Sequence, residues 1–405
     1  MKKSFVLIFL MLILIPNFIS AQDGLKISAQ LRPRLVIDNR DFNSSTGFNS
    51  FTEMRTRLGV DFSPLSNLTA LVQIQDSRVF GTEPNTLANT QNLDLHQAYF
   101  QVDNLFELPV ALKAGRMEAA YGTQRLMGAV GWSSVGRSFD GLTLKFDFCK
   151  VKFDLFAFRE VETGIVDDSS DQNVIGLFGD ITAFEGHALQ PFVIYYTSSA
   201  ASYPFDTYTL GANLIGTING FHHEAEFAYQ TGSQVNDGPV DVSAILAAYN
   251  ASYTFAADVK PMIGAGVDYL SGDDDPTDNE YKVFNTLFAT NHKYYGYMDY
   301  FLNIPAHTNG LGLMDIHGKV GLSPTNNLSI TGKFHLFNSA EKAALPNGST
   351  SNSFGTEIDI IFDYAYNNHV AFQLGGGFFS PGEIFEATQG SDASTWFYLM
   401  ATVNL

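Results

Sequence analysis

Apolar and polar residues alternate along this chain from about residue 25 to its end. In "FTEMRTRLGVDF", residues 51 to 62, Met54, Leu58, Val60 and Phe62 share one parity, and Glu53, Arg55, Arg57 and Asp61 share the other. A period of two puts the two sets on opposite faces of a β-strand. Eighteen such runs, dominated on one parity by β-branched and aromatic residues, predict strands. They begin near Leu25, Phe51, Asn67, Asn92, Glu107, Val135, Val151, Gln172, Gly186, Phe205, Asn219, Val240, Lys260, Leu311, Asn327, Phe354, Asn368 and Ala393.

The connections alternate in length. Short ones such as "SPLSN" (63 to 67), "DNLFE" (103 to 107), "CK" (149 to 150), "EG" (185 to 186) and "NG" (219 to 220) come at every second position. Between them lie longer polar stretches: "DNRDFNSSTGFNS", "FGTEPNTLANTQN", "VDDSSDQ", "SQVNDGP" and "SAEKAALPNGSTSNS". Segregation of loop length by parity is the mark of an outer-membrane barrel with short periplasmic turns and long outer loops, whereas a soluble sandwich has no reason for it. The fold expected is all-β: a transmembrane antiparallel β-barrel of about 18 strands, an even number that leaves both termini on one side. In the last strand Phe397, Leu399, Ala401, Val403 and Leu405 form the lipid parity, and the strand closes against the first. Trp396, Phe397 and Tyr398 are expected in the interfacial aromatic girdle.

The N-terminus adds a destination. Lys2 and Lys3, an apolar run from Phe5 to Ile15, Pro16 and the small pair Ser20 and Ala21 read as a secretory signal over residues 1–21. Residues 22–405 are then one barrel domain, with a long outer loop at 271–310, in the outer membrane of a Gram-negative-type bacterium. The single cysteine, Cys149, excludes a disulfide framework.

Charge sharpens the picture. The net charge is −19, yet all ten arginines lie in the first 159 residues, and from Val161 onward 6 Lys face 27 Asp plus Glu. Arginine at the bilayer midplane costs ~2–4 kcal/mol, so the polar parity turns inward. Arg32, Arg34, Arg55, Arg57, Arg137 and Lys145 are expected in the lumen, facing an acidic set of Glu357, Asp359 and Asp363. Arg116 has the parity of Val110 and Leu112, so it enters the pore only if Gly115 marks a bulge or a strand end. Such a lumen attracts anionic groups.

The chain resembles the alginate export family of outer-membrane barrels. The resemblance is carried by "RTRLGVDF", "LVQIQDSRVFG", "LDLHQAYFQV", "LKAGRMEAAYGTQRLMGAVGWSSVGRSFDGLTL", the "SGDDDPTDNEYKVFNTLFATNHKYYGYMDY" loop and "FGTEIDIIFDY". It implies an eighteen-stranded channel narrowed by arginines, drawn here from Arg55 or Arg57, Arg116 and Arg137, through which a polyuronate passes. The function expected is a porin-like channel for anionic, uronate-containing saccharides such as alginate. A barrel enzyme and a surface adhesion or structural barrel stand as alternatives. Outer-membrane lipid and the saccharide are the partners expected, with periplasmic partners for export or uptake and no nucleic acid.

No catalytic motif emerges. His222, His223 and Glu224 are adjacent on a strand, so the two histidines point to opposite faces and cannot serve one lumen site. No cofactor is expected beyond calcium, for which Asp273, Asp275 and Asp278 of "SGDDDPTDNE" offer hard oxygen ligands without the spacing of an EF-hand. The aromatic "NHKYYGYMDYFLNIP" that follows is long enough to fold back into the barrel mouth.

Overall fold

The computed structural model describes residues 24–88, 92–163, 170–200, 203–235 and 238–405; the leader expected over residues 1–21 lies outside them. The strands are β1 (Leu25–Asn39), β2 (Asn49–Leu65), β3 (Leu68–Val79), β4 (Leu93–Val102), β5 (Val110–Met117), β6 (Phe139–Phe148) and β7 (Val151–Val161). They continue as β8 (Gln172–Ile181), β9 (His187–Ser198), β10 (Phe205–Ile218), β11 (Phe221–Val235), β12 (Pro239–Thr254) and β13 (Met262–Leu270). The two-residue β14 (Glu280–Tyr281) belongs to a loop, and β15 (Leu313–Thr325), β16 (Leu328–Ala344), β17 (Thr350–Ala365), β18 (Val370–Pro381) and β19 (Ser394–Asn404) complete the wall.

Each wall strand pairs antiparallel with its sequence neighbour, β13 pairs with β15, and β1 closes on β19 from Gln30↔Asn404 to Asn39↔Thr395. The result is a closed barrel of 18 strands, each starting within four residues of its expected position. Closure satisfies backbone groups that hydrocarbon could not. Alternation sorts the faces as expected: Ile358 and Ile360 are exposed on the outside, while Glu357 and Asp359 between them are buried inside. Two stretches expected as outer loops are instead long hairpins: β11 and β12 pair as far as Val235↔Pro239, and β16 and β17 as far as Ala344↔Thr350.

The interior is filled by two connections from the long-loop end. One joins β5 to β6 (residues 118–138), and the other joins β13 to β15 (271–312). Leu126 and Met127 of the first pack with Phe284, Phe288, Tyr295, Met298, Phe301 and Ile304 of the second in one apolar cluster. A parallel bridge, Met127↔Phe288, joins them. The core therefore lies in the barrel lumen, where a soluble sandwich would have it between sheets.

Candidate functional site: charged cavities around two inserted loops

The arginine ladder begins in the register of the first hairpin, where Arg32 stands directly opposite Arg55, Arg34 opposite Glu53 and Gln30 opposite Arg57. Like charges in opposing positions destabilise a sheet unless something else takes them up. Here the inserted 118–138 connection does. Nη1 of Arg32 donates to Gly131 O at 2.6 Å, and its Nη2 to Trp132 O and Ser133 O, both at 2.9 Å. Nη1 of Arg55 donates to Gly131 O and Ser133 O at 3.0 Å each, and Nη1 of Arg34 to Trp132 O at 3.0 Å. The planar guanidinium fork, with five N–H donors, suits a cluster of turn carbonyls in a way an ammonium does not. The Trp132 ring is wedged between the Arg34 guanidinium, 4.0 Å away, and the His292 ring, stacked at 4.3 Å.

Arg57 anchors the start of the same connection, donating to Glu118 Oε1 at 3.0 Å; His96 Nε2 lies 2.7 Å from the same oxygen. Burial pushes the Glu118 carboxyl up, but the hydrogen bond from His96 and the Arg57 charge outweigh it and hold the group below its ordinary value.

Arg137 and Arg125 tie the two inserted segments together. Nη1 of Arg137 reaches Gly128 O at 3.1 Å and Ala289 O at 3.2 Å, as well as Phe288 O. Arg125 is fully buried: its Nε donates to Asp268 Oδ2 at 2.9 Å, and its Nη1 to Glu224 Oε1 at 2.5 Å and Glu226 Oε2 at 3.3 Å. The Tyr294 ring covers it at 3.7 Å. Asp268, Glu224 and Glu226 thus share one cation, supplied by a residue that arrives from the opposite half of the chain.

The remaining expected site residues fall as follows. Lys145 faces inward and pairs with Asp154 at 3.2 Å. Glu357 and Asp359 face inward but are sealed beneath the second inserted loop, whose Met298 N–H donates to Glu357 Oε1 at 2.9 Å. Asp363 accepts from Gln373 Nε2 at 2.6 Å. Arg116 is a correction. Gly115 has φ +127°, yet the pairing runs on without a slip through Gly115↔Gly141 and Arg116↔Asp140. With no extra residue the parity is kept, so Arg116 lies on the outer face and bonds Asp140 at 3.1 Å. Trp396 and Tyr398 are a second correction: both are buried inside against Trp132, and only Phe397 faces outward. Their parity places them inside, and the inserted segment gives them a partner there. In the acidic loop, Lys282 Nζ sits 2.6 Å from Asp274, 3.5 Å from Asp278 and 3.7 Å from Glu280, while Asp273 and Asp275 accept backbone N–H groups.

Two cavities flank the inserted segments. Toward the long loops, one of about 500 Å³ is lined by Arg34, Arg78, Arg137, Glu53, Trp132 and Asp299, among others. Toward the short turns, one of about 430 Å³ is lined by Lys293, Lys319, Lys333, His222, His317 and Glu224, among others. Neither is bordered by Glu357 or Asp359. Among the described residues, Arg32, Arg55, Arg137, Lys293, Lys319 and Lys333 have no carboxylate within ion-pair distance. Lys319 and Lys333 were missed from the sequence, although they share the inward parity of β15 and β16 with His317 and His335.

A closed 18-stranded barrel with an apolar belt, loops folded into its lumen and charged cavities on either side defines an outer-membrane channel. The chain belongs to the alginate export family, whose model, described as "Alginate export", matches residues 24–398. Among solved structures it is similar to Pseudomonas aeruginosa OccD3 (OpdP), with TM-score 0.62, 13% identity, and coverage of 95% of this chain and 91% of that one. Acinetobacter baumannii OccAB1 gives TM-score 0.59 at 7% identity over 94% and 96% of the two chains. Pseudomonas aeruginosa OpdK with vanillate gives 0.59 at 11% over 94% and 98%. At these identities the likeness is one of fold. No curated protein matches.

Proposed function

We propose that this outer-membrane channel conducts anionic saccharides, uronate-bearing chains such as alginate, through a lumen whose uncompensated charge is positive. The observation that supports this reading is the choice of partners: Arg32, Arg55 and Arg137 are held by carbonyl oxygens and not by carboxylates. A carbonyl dipole orients a guanidinium without cancelling its charge, so the field survives in the lumen. Lys293, Lys319 and Lys333 extend it to the short-turn cavity. Of the acid, Glu224, Glu226 and Asp268 surround Arg125, Glu357 and Asp359 lie beneath the second loop, and Asp274, Asp278 and Glu280 gather about Lys282 in a loop. Membership of a family described as "Alginate export" supports a polyuronate as the substrate class.

Current block in a planar bilayer tests the reading. A trimeric uronate should reduce the open-channel current in a concentration-dependent way, and neutral maltotriose should not. Equal block by both sugars, or none by the uronate, would refute charge recognition.

A further inference from the structure

We infer that Asp315, His317 and His335 form a divalent metal site of the zinc type in the wall of the short-turn cavity. Strands β15 and β16 bring the three together: His317 and His335 are register partners, and Asp315 lies two residues back on the same inward face. Asp315 Oδ2 stands 2.8 Å from His335 Nδ1 and 3.2 Å from His317 Nδ1. A donor atom from each residue lies within 4.8 Å of the other two, and no other group of His, Cys, Asp and Glu among the described residues meets that condition.

The protonation of His317 is fixed from behind. Asn250 Nδ2 donates to Asp268 Oδ1 at 3.2 Å, which turns Asn250 Oδ1 toward His317. His317 Nε2 then donates to that oxygen at 2.5 Å, so a neutral ring has a bare lone pair at Nδ1. Nδ1 lies 3.2 Å from a carboxylate oxygen and makes no hydrogen bond. Two electron-rich atoms at this separation repel, and a cation between them replaces the repulsion by two bonds. Asp315 Oδ1 and His335 Nε2, on side chains 0% and 1% exposed, also lack partners.

The dimensions suit the ion. Metal–ligand bonds of about 2.0–2.1 Å in a tetrahedron set donor separations of about 3.3–3.4 Å; the 3.2 Å pair is close to this, and the 2.8 Å hydrogen-bonded pair opens by about half an ångström when a metal replaces its proton. When His335 gives Nδ1 to the metal its proton moves to Nε2, on the ring whose register partner is Glu357. Two imidazoles and one carboxylate favour zinc over calcium or magnesium, which prefer all-oxygen shells. Both histidines border the cavity, so a fourth ligand, water or a solute carboxylate, comes from there. Asn250, which holds His317 from the other side, is the outer partner that such ligands require.

The test uses the full chain without a polyhistidine tag, refolded in detergent, stripped with chelator and titrated with Co²⁺. The expected result is a tetrahedral Co²⁺ absorption band that saturates at about one ion per chain and disappears on adding Zn²⁺. His317→Gln and His335→Gln should each weaken binding by more than about 100-fold, and Asn250→Ala by about 10- to 100-fold. His335 is buried, so His317→Gln, at the cavity edge, is the deciding variant, with heat modifiability as the check on folding. No band in the wild type would make His317 a doubly protonated partner of Asp315 and overturn the site. A band undiminished in a folded His317→Gln barrel would overturn it equally.

Discussion

Replacing both Arg32 and Arg55 by Lys separates two roles that arginine combines here, because it keeps the lumen charge and removes the fork. The two guanidiniums make five hydrogen bonds to the carbonyls of Gly131, Trp132 and Ser133. Hydrogen bonds to charged groups contribute ~1.5–3 kcal/mol each, but within one network they do not add, and an ammonium recovers part of them. A net loss of about 2–3 kcal/mol in docking of the 118–138 connection raises its released population by roughly 30- to 150-fold, at 1.4 kcal/mol per decade. Single-channel recording should show larger and more frequent conductance fluctuations, and limited proteolysis should cut within residues 118–138 faster. Anion preference should survive in the Lys pair and fall in the Arg32→Gln, Arg55→Gln pair. Unchanged fluctuation and cleavage in both pairs would show that the forks do not hold the loop. Equal loss of selectivity in both would show that geometry, and not charge, sets it.

Other consequences follow from single contacts. Arg125→Met strands Asp268 and Glu226 as buried carboxylates; breaking such a group costs ~3–5 kcal/mol, so the heat-modification temperature should fall and adding Asp268→Asn should restore part of it. Unfolding at the wild-type temperature would refute the network. Glu118 is held below its ordinary value, so its contribution to loop docking is present above the usual glutamate pKa of ~4.3 and is lost as pH falls through the lowered one. Wild-type conductance should therefore be steady from about pH 8 to pH 5 and rise in stronger acid, whereas Glu118→Gln should show the released level throughout; a wild-type change near neutral pH would contradict this. In the Ser271–Glu280 loop, Lys282 already supplies the cation, so protease sensitivity should be the same in calcium and in chelator, and protection by calcium would show that the carboxylates converge on the ion.

The wall was legible because a strand repeats every two residues and a barrel exposes one parity to hydrocarbon. Loop-length parity then distinguished the two ends of the barrel. The contents of the lumen were legible only where they continued a strand pattern, as for Arg32, Arg34, Arg55 and Arg57. "MEAAYGTQRLMGAVGWSSV" has neither strand alternation nor the polar composition of an outer loop, so neither its insertion nor the burial of Arg125 could be read from it. The aromatic loop 291–305 was readable because its length and apolar content have no outlet except the barrel interior. Trp396 and Tyr398 misled because an aromatic at a strand end has two ordinary places, the girdle and the lumen, and only a partner such as Trp132 distinguishes them. His317 and His335 carried no signal, since a cross-strand pair 18 residues apart is defined by register and not by spacing in sequence.

On the proposed function, the narrow lumen, and not the total charge of −19, sets the sign of the field a solute meets. Excess acid on exposed loops such as Asp274 and Asp275 is screened over a Debye length of ~8–10 Å, and neither residue borders the two cavities that flank the inserted segments. The direct test is the reversal potential of the wild-type channel in a planar bilayer under a potassium chloride gradient. Chloride should be favoured over potassium, and Arg137→Gln with Lys319→Gln and Lys333→Gln should shift the potential toward cations. A cation-selective wild-type channel that the triple substitution leaves unchanged would contradict the proposed function.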